Sequence, residues 1–214
     1  MTLRQAQGHS EQRRGVRIFG IDPGSVRTGY GCVETDGRRH HLVACGAITV
    51  LAGDSFPHRL ARIHRELTAL LATHRPESVA IENLFHSTNA RSALRLGHAR
   101  GVAMLAAIQA GCEIVEYTPA EVKRAVVGYG RAEKQQVQQM VKLLLGLDQP
   151  PTPFDASDAL AVAICHLHSQ VPKVRATLKG RPYDGGSRGD VGAGLEARPG
   201  LPRSWRKYRP PTVG

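Results

Sequence analysis

The sequence predicts an α/β fold: a mixed, five-stranded sheet with helices on both faces. Three observations predict it. Extended runs at 16–22, 28–35 and 40–50 follow one another closely, and the turn pair Asp36-Gly37 separates the second from the third. Two further short apolar runs, 77–82 and 112–117, each follow a segment of helical periodicity, as parallel crossovers require. More helical segments follow the fifth run. A meander joined to strands separated by helices gives a mixed sheet covered on both sides.

The first strand carries Val16, Ile18, Phe19 and Ile21 and ends on Asp22. A carboxylate at a buried strand end is expensive unless something pairs with it. The following Pro23-Gly24-Ser25 is ordinary turn chemistry and explains Asp22 equally well when taken alone. In residues 56–75, Leu60, Ile63, Leu67, Leu70 and Leu71 recur at helical spacing until Pro76 stops the run. The next strand, "ESVAIE" at 77–82, also ends in an acid. A helical crossover from 50 to 77 makes it parallel to the first, so Asp22 and Glu82 lie at the same carboxyl end of neighbouring strands. Sites in open α/β sheets form at that end.

A long helix is expected at 88–110. It contains Gly97 and Gly101 one turn apart, each costing about 1 kcal/mol relative to alanine. A bare ridge of this kind lets another backbone approach closely, from the same chain or a second one. "CEIVEY" at 112–117 supplies the fifth strand. Helical pieces at 119–126 and 132–145 flank "GYG" at 128–130, and the proline cluster 150–153 precedes a last helix at 154–168. One domain is therefore expected at 16–170, with a loose arm at 1–15. Residues 171–214 hold 8 Gly and 6 Pro and few large apolar groups, the composition of a disordered basic tail.

The chain of 214 residues has a net charge of +11, and residues 171–214 contribute +7 of it. Such a balance suggests a polyanionic partner, nucleic acid foremost. No apolar run approaches the ~20 residues of a membrane span. The polar N-terminus lacks the apolar centre of a signal peptide, so a cytoplasmic protein is expected. Cys32, Cys45, Cys112 and Cys165 are scattered and read as reduced thiols. "CHLH" at 165–168 lacks a second pair of ligands for a closed zinc site.

The third acidic element is "PTPFDASDALAVAICHLH". Asp155 and Asp158 stand three apart and share one face of a helix. Capping competes with catalysis here: Asp155 suits an N-cap with Asp158 reaching back, or Thr152 caps with Pro153 first. In combination, Asp22, Glu82, Asp155 and Asp158 place up to four carboxylates in one pocket of a basic protein. Crowded like charges take up protons or find cations. Hard oxygen ligands suit Mg²⁺ or Mn²⁺, and two such ions about 3.5–4 Å apart suit hydrolysis of a phosphodiester.

"GIDPGSVRTGYG", "AIENLFHSTNARSALRLGHARGVAM", "VKRAVVGYGRAEKQQVQQMV" and "DASDALAVAICH" together resemble the RuvC-type Holliday junction resolvases of bacteria, over roughly 16–169. The resemblance implies an RNase H-like fold and a homodimer that nicks four-way DNA junctions in symmetric pairs, leaving 5′-phosphate and 3′-hydroxyl ends. It implies that Asp22, Glu82, Asp155 and Asp158 are the metal-binding catalytic acids, with Mg²⁺ or Mn²⁺, two ions per site. It implies that Lys123 and Lys134 stand close to the scissile phosphate, with Lys134 catalytic, and that Phe85 stacks on bases at the junction. It also implies a dimer interface on the helix at 88–110 and cooperation with the RuvA and RuvB branch-migration proteins. Arg91, Arg95, Arg100, Arg124 and Arg131 suit phosphate contacts along the arms, though no motif fixes their direction.

Two other functions are compatible with fragments of the sequence. "IDPGSVRTGYG" looks like the first phosphate loop of sugar-kinase and actin-like ATPases. Those enzymes need a second lobe and an Asp-Gly loop after a strand, and "DGGS" at 184–187 has no strand before it. A junction-binding protein without nuclease activity would show the same charge, with its acids only capping helices and ending strands.

Overall fold

In a strand that is covered on both sides, alternate side chains enter different cores, and this alternation organises the molecule. The computed structural model describes residues 15–51, 53–83 and 89–178. Phe85, residues 1–14 of the arm and the tail beyond 178 lie outside the described residues. In chain order the elements are β1 (Val16–Asp22), β2 (Arg27–Thr35), β3 (His40–Thr49), α1 (Phe56–His74), β4 (Ser78–Glu82), α2 (Ala90–Gln109), β5 (Glu113–Tyr117), α3 (Pro119–Val127), α4 (Lys134–Leu145) and α5 (Phe154–Leu178). The strands form one five-stranded sheet in the order β3-β2-β1-β4-β5. β1 pairs antiparallel with β2 and parallel with β4; β2–β3 is antiparallel and β4–β5 parallel. The mixed sheet with helices on both faces is as expected.

Ile18 of β1, Val33 of β2 and Ala80 of β4 pack against α3, α4 and α5, where Val126, Val141, Leu160 and Ile164 are buried. Phe19, Ile21, Val79 and Ile81 enter the opposite core with Ile63, Leu67 and Leu71 of α1. The small residues Ala99, Ala103, Ala106 and Ala107 of α2 pack in the same core. Asp22 therefore shares its side of β1 with Ile18, on the α5 face of the sheet.

α5 lies very close to that face. A Cβ on Gly20 would stand 1.9 Å from the Ala159 carbonyl oxygen, and one on Gly29 2.0 Å from the Asp155 carbonyl oxygen. Only glycine admits the helix backbone at these two points.

Local signals account for most element ends. Asp36 turns the β2–β3 hairpin by accepting from the amides of Arg38 and Arg39, and Gly37 takes φ 87°. α3 begins with a capping box in which Thr118 and Glu121 satisfy each other's backbone N–H groups. The largest departure from expectation is α5, which continues ten residues past 168 to Leu178. The helix carries Pro172 in its interior, where a proline costs about 3 kcal/mol, and the first Gly of the tail, Gly180, stands just past its end. Cys32, Cys45, Cys112 and Cys165 are free thiols. Among the described residues, no helix is long and apolar enough to cross a membrane.

Candidate active site

The parallel register sets Ile21 of β1 opposite Ile81 of β4, so Asp22 and Glu82 end their strands side by side. Glu82 is also level with Tyr117 of β5. Burial is the main reason that the Asp22 carboxyl is pushed up to about 8; the negative charges of Glu82 and Asp158 add to it, and Lys134 opposes them. Burial likewise raises Glu82, with Asp158 pushing in the same direction and Lys134 and Lys123 against it. The two carboxyls also act on each other directly across the strand ends, which adds to the rise at Asp22.

The first turn of α5 supplies the other acids. Asp158 Oδ2 accepts from Lys134 Nζ at 3.0 Å, and this pairing raises the lysine. Asp155 Oδ2 accepts from Arg27 Nη1 at 3.2 Å. The backbone amides of Ala156 and Ser157 are satisfied by the Pro153 carbonyl. Both aspartate side chains therefore face cations, and neither caps the helix.

Asp22, Glu82 and Asp158 line one cleft of about 300 Å³ together with Lys123 and Lys134, with Val122, Val137 and Ala161 among its apolar walls. Up to four carboxylates were expected in one pocket, and three of them line this cleft. The fourth, Asp155, is paired with Arg27, which opens β2 beside it, and its charge still reaches Lys134. Among the described residues, no three acidic, histidine or cysteine side chains already stand as a ready metal-holding group. The donor chemistry nevertheless fits a hard divalent cation: the acids offer only carboxylate oxygens, and Lys134 and Arg27 each offset one of their charges here.

The remaining predicted residues divide. Lys123 faces the cleft and Lys134 bridges it to α5. Arg91, Arg124 and Arg131 are exposed. Arg95 lies over the Phe56 ring, 5.6 Å from its centroid. Arg100 is turned inward to an ion pair with Glu116 of β5, which also accepts from the Asn83 side chain at 3.3 Å. In "CHLH", Cys165 is buried, His166 meets the Tyr117 hydroxyl at 2.9 Å, and His168 meets the Ala125 carbonyl at 3.1 Å. Arg27 is the site residue that sequence reading missed. Its signal was the short β1–β2 connection, which brings the first residue of β2 to the same sheet end as Asp22.

Comparison with known proteins gives one consistent result. Residues 18–166 match the family model described as RuvC, crossover junction endodeoxyribonuclease. A protein of that name from Koribacter versatilis is 52% identical over 165 residues, covering 77% of this chain and 99% of the relative. Another, from Caldanaerobacter subterraneus subsp. tengcongensis, is 51% identical over 154 residues, covering 72% and 93%. The solved RuvC structure of Thermus thermophilus superposes with a TM-score of 0.68 at 33% identity, covering 73% of this chain and 97% of that one. T. thermophilus RuvC in complex with a Holliday junction substrate gives 0.66 at 31% identity, covering 73% and 96%.

Proposed function

The chain belongs to the RuvC family of crossover junction endodeoxyribonucleases, which are metal-dependent, and from that premise we propose that it resolves four-way DNA junctions by paired, symmetric phosphodiester hydrolysis. One observation carries the reading: Asp22, Glu82 and Asp158 converge from two strand ends and a helix on one cleft that also holds two lysines.

Asp22, Glu82 and Asp158, joined by Asp155, would hold Mg²⁺ or Mn²⁺, two ions per site. Such ions neutralise charge on the phosphate and activate the attacking water. The residues divide the remaining work. Asp22, raised mainly by burial, would have to be ionised to serve as a ligand. Lys134, released from Asp158, offers an ammonium to the charge that develops on the phosphoryl oxygens, and Lys123 lies on the same wall. In-line displacement of the 3′ oxygen leaves 5′-phosphate and 3′-hydroxyl ends. Phe85, three residues after Glu82 in the sequence, would supply a flat ring for an unpaired base, an interaction worth about 1–3 kcal/mol. Arg91, Arg95, Arg124 and Arg131 remain available for phosphates, whereas Arg100 is engaged with Glu116.

A homodimer accompanies this function. On α2, Gly97 and Gly101 face open space, and with Leu94, Val102 and Leu105 they line an open apolar groove of about 470 Å³. Leu94, Leu105 and Ile108 are strongly exposed. The glycine ridge therefore serves no neighbour within the described residues, and a second copy across a two-fold axis would cover it. Two sites related by that axis suit the near-two-fold symmetry of an open junction. RuvA and RuvB would deliver the junction, in the cytoplasm where the DNA lies.

The test is cleavage of a synthetic four-way junction and of the matching linear duplex, with Mg²⁺, with Mn²⁺ and in EDTA. Expected are paired nicks in the junction alone, with either metal, abolished in Asp22→Asn while junction binding persists. Binding without product under every metal would instead leave a junction-binding protein.

A further inference from the structure

Arg27 begins β2, five residues after Asp22. Its guanidinium donates to Asp155, and the two side chains keep 50% and 30% of their solvent exposure. Asp158, one turn along α5, is held in the same way by Lys134. Both acids of α5 therefore have a cationic partner within the chain. Of the two, Asp155, the one held by an arginine, is not among the residues lining the cleft.

We propose that Arg27 is a positioning residue: a latch that keeps Asp155 out of the metal site until a DNA phosphate competes for its guanidinium, so that substrate arrival completes the ligand set. This rests on the reading of the four acids as metal ligands. Three physical points support it. A guanidinium fork fits phosphate as well as it fits carboxylate, so the exchange keeps its hydrogen bonds. A solvent-exposed ion pair is worth only about two- to fivefold in an equilibrium constant, so the dense charge of DNA is enough to open it. Competition between Arg27 and a cation for one carboxylate is also reciprocal: what the latch costs the cation, removing the latch must return.

The experiment is a calorimetric Mn²⁺ titration of the full chain without DNA, for the parent, Arg27→Gln, Arg27→Lys and Asp22→Asn. Arg27→Gln is expected to bind Mn²⁺ about two- to fivefold more tightly than the parent, the range set by one exposed ion pair. Arg27→Lys should fall between them, and Asp22→Asn should lose most of the binding. Repeated on a saturating junction, the titration should show the parent gaining more affinity than Arg27→Gln gains.

Equal or weaker affinity in Arg27→Gln, with Asp22→Asn still impaired, overturns the latch and leaves the metal reading standing. Equal gains on the junction overturn the phosphate exchange. Mn²⁺ uptake that Asp22→Asn does not diminish overturns the metal reading and the latch with it. Thermal melts in EDTA identify any variant that has lost its fold, in which case Arg27→Lys carries the comparison and must bind more tightly than the parent.

Discussion

Asp22 carries the most perturbed carboxyl of the cleft, and its proton links the site to stability. In the unfolded chain it ionises near its ordinary 3.8, but in the folded protein near 8. Between those values the folded state holds a proton that the unfolded chain has released. Metal-free protein must therefore lose stability as pH rises through that window. Asp22→Asn removes this slope. In EDTA at pH 8 its Tm is expected to exceed the parent's by about 2–4 °C, the shift that 1 kcal/mol gives a domain of this size. At pH 4 the two should coincide, and melts across pH 4–9 check both. Lys134 is the complementary case, a cation whose partner is an acid of the site. Lys134→Met is expected to lower the single-turnover cleavage rate about 10²-fold, with a much smaller change in junction affinity.

At the scale of elements, the site depends on how deeply α5 sits on the sheet. Gly20→Ala would drive a methyl into the Ala159 carbonyl. It is expected to cost about 1–3 kcal/mol in urea unfolding and to weaken Mn²⁺ binding by lifting Asp158 from the strand ends. The acids were legible in the sequence for simple reasons. Apolar runs that stop on Asp22 and Glu82, joined by one crossover, must end together, and a spacing of three must put Asp155 and Asp158 on one helix face. Gly20 and Gly29 were not read as a seat for that helix, because a glycine in a strand pattern does not say which neighbour approaches it. The pairing of Asp155 with Arg27 was hidden for a different reason. It depends on the reach of one long side chain across a strand end, which no periodicity encodes. The length of α5 was masked by the Gly- and Pro-rich composition that begins shortly after it.

For the whole molecule, one cleft would hydrolyse one strand, and resolution needs two. The apolar groove on α2 is where the molecule would acquire its second site. Leu105→Glu places a charge in that groove and should leave the local fold intact, since Leu105 is half exposed. Sedimentation velocity is expected to show a monomer. On a four-way junction that monomer should leave singly nicked molecules where the parent gives two duplexes.

The level pairing of Ile21 with Ile81 has one more consequence, for how such a chain tolerates insertions and deletions. Extra residues in the α1 crossover shift nothing at the strand ends, so the Asp22 and Glu82 pair is indifferent to that segment's length. Losing a single residue from the five of β4 changes its parity and sends the carboxylate of residue 82 toward α1 and α2. Natural length variants should therefore gather in the crossover and spare that one short strand.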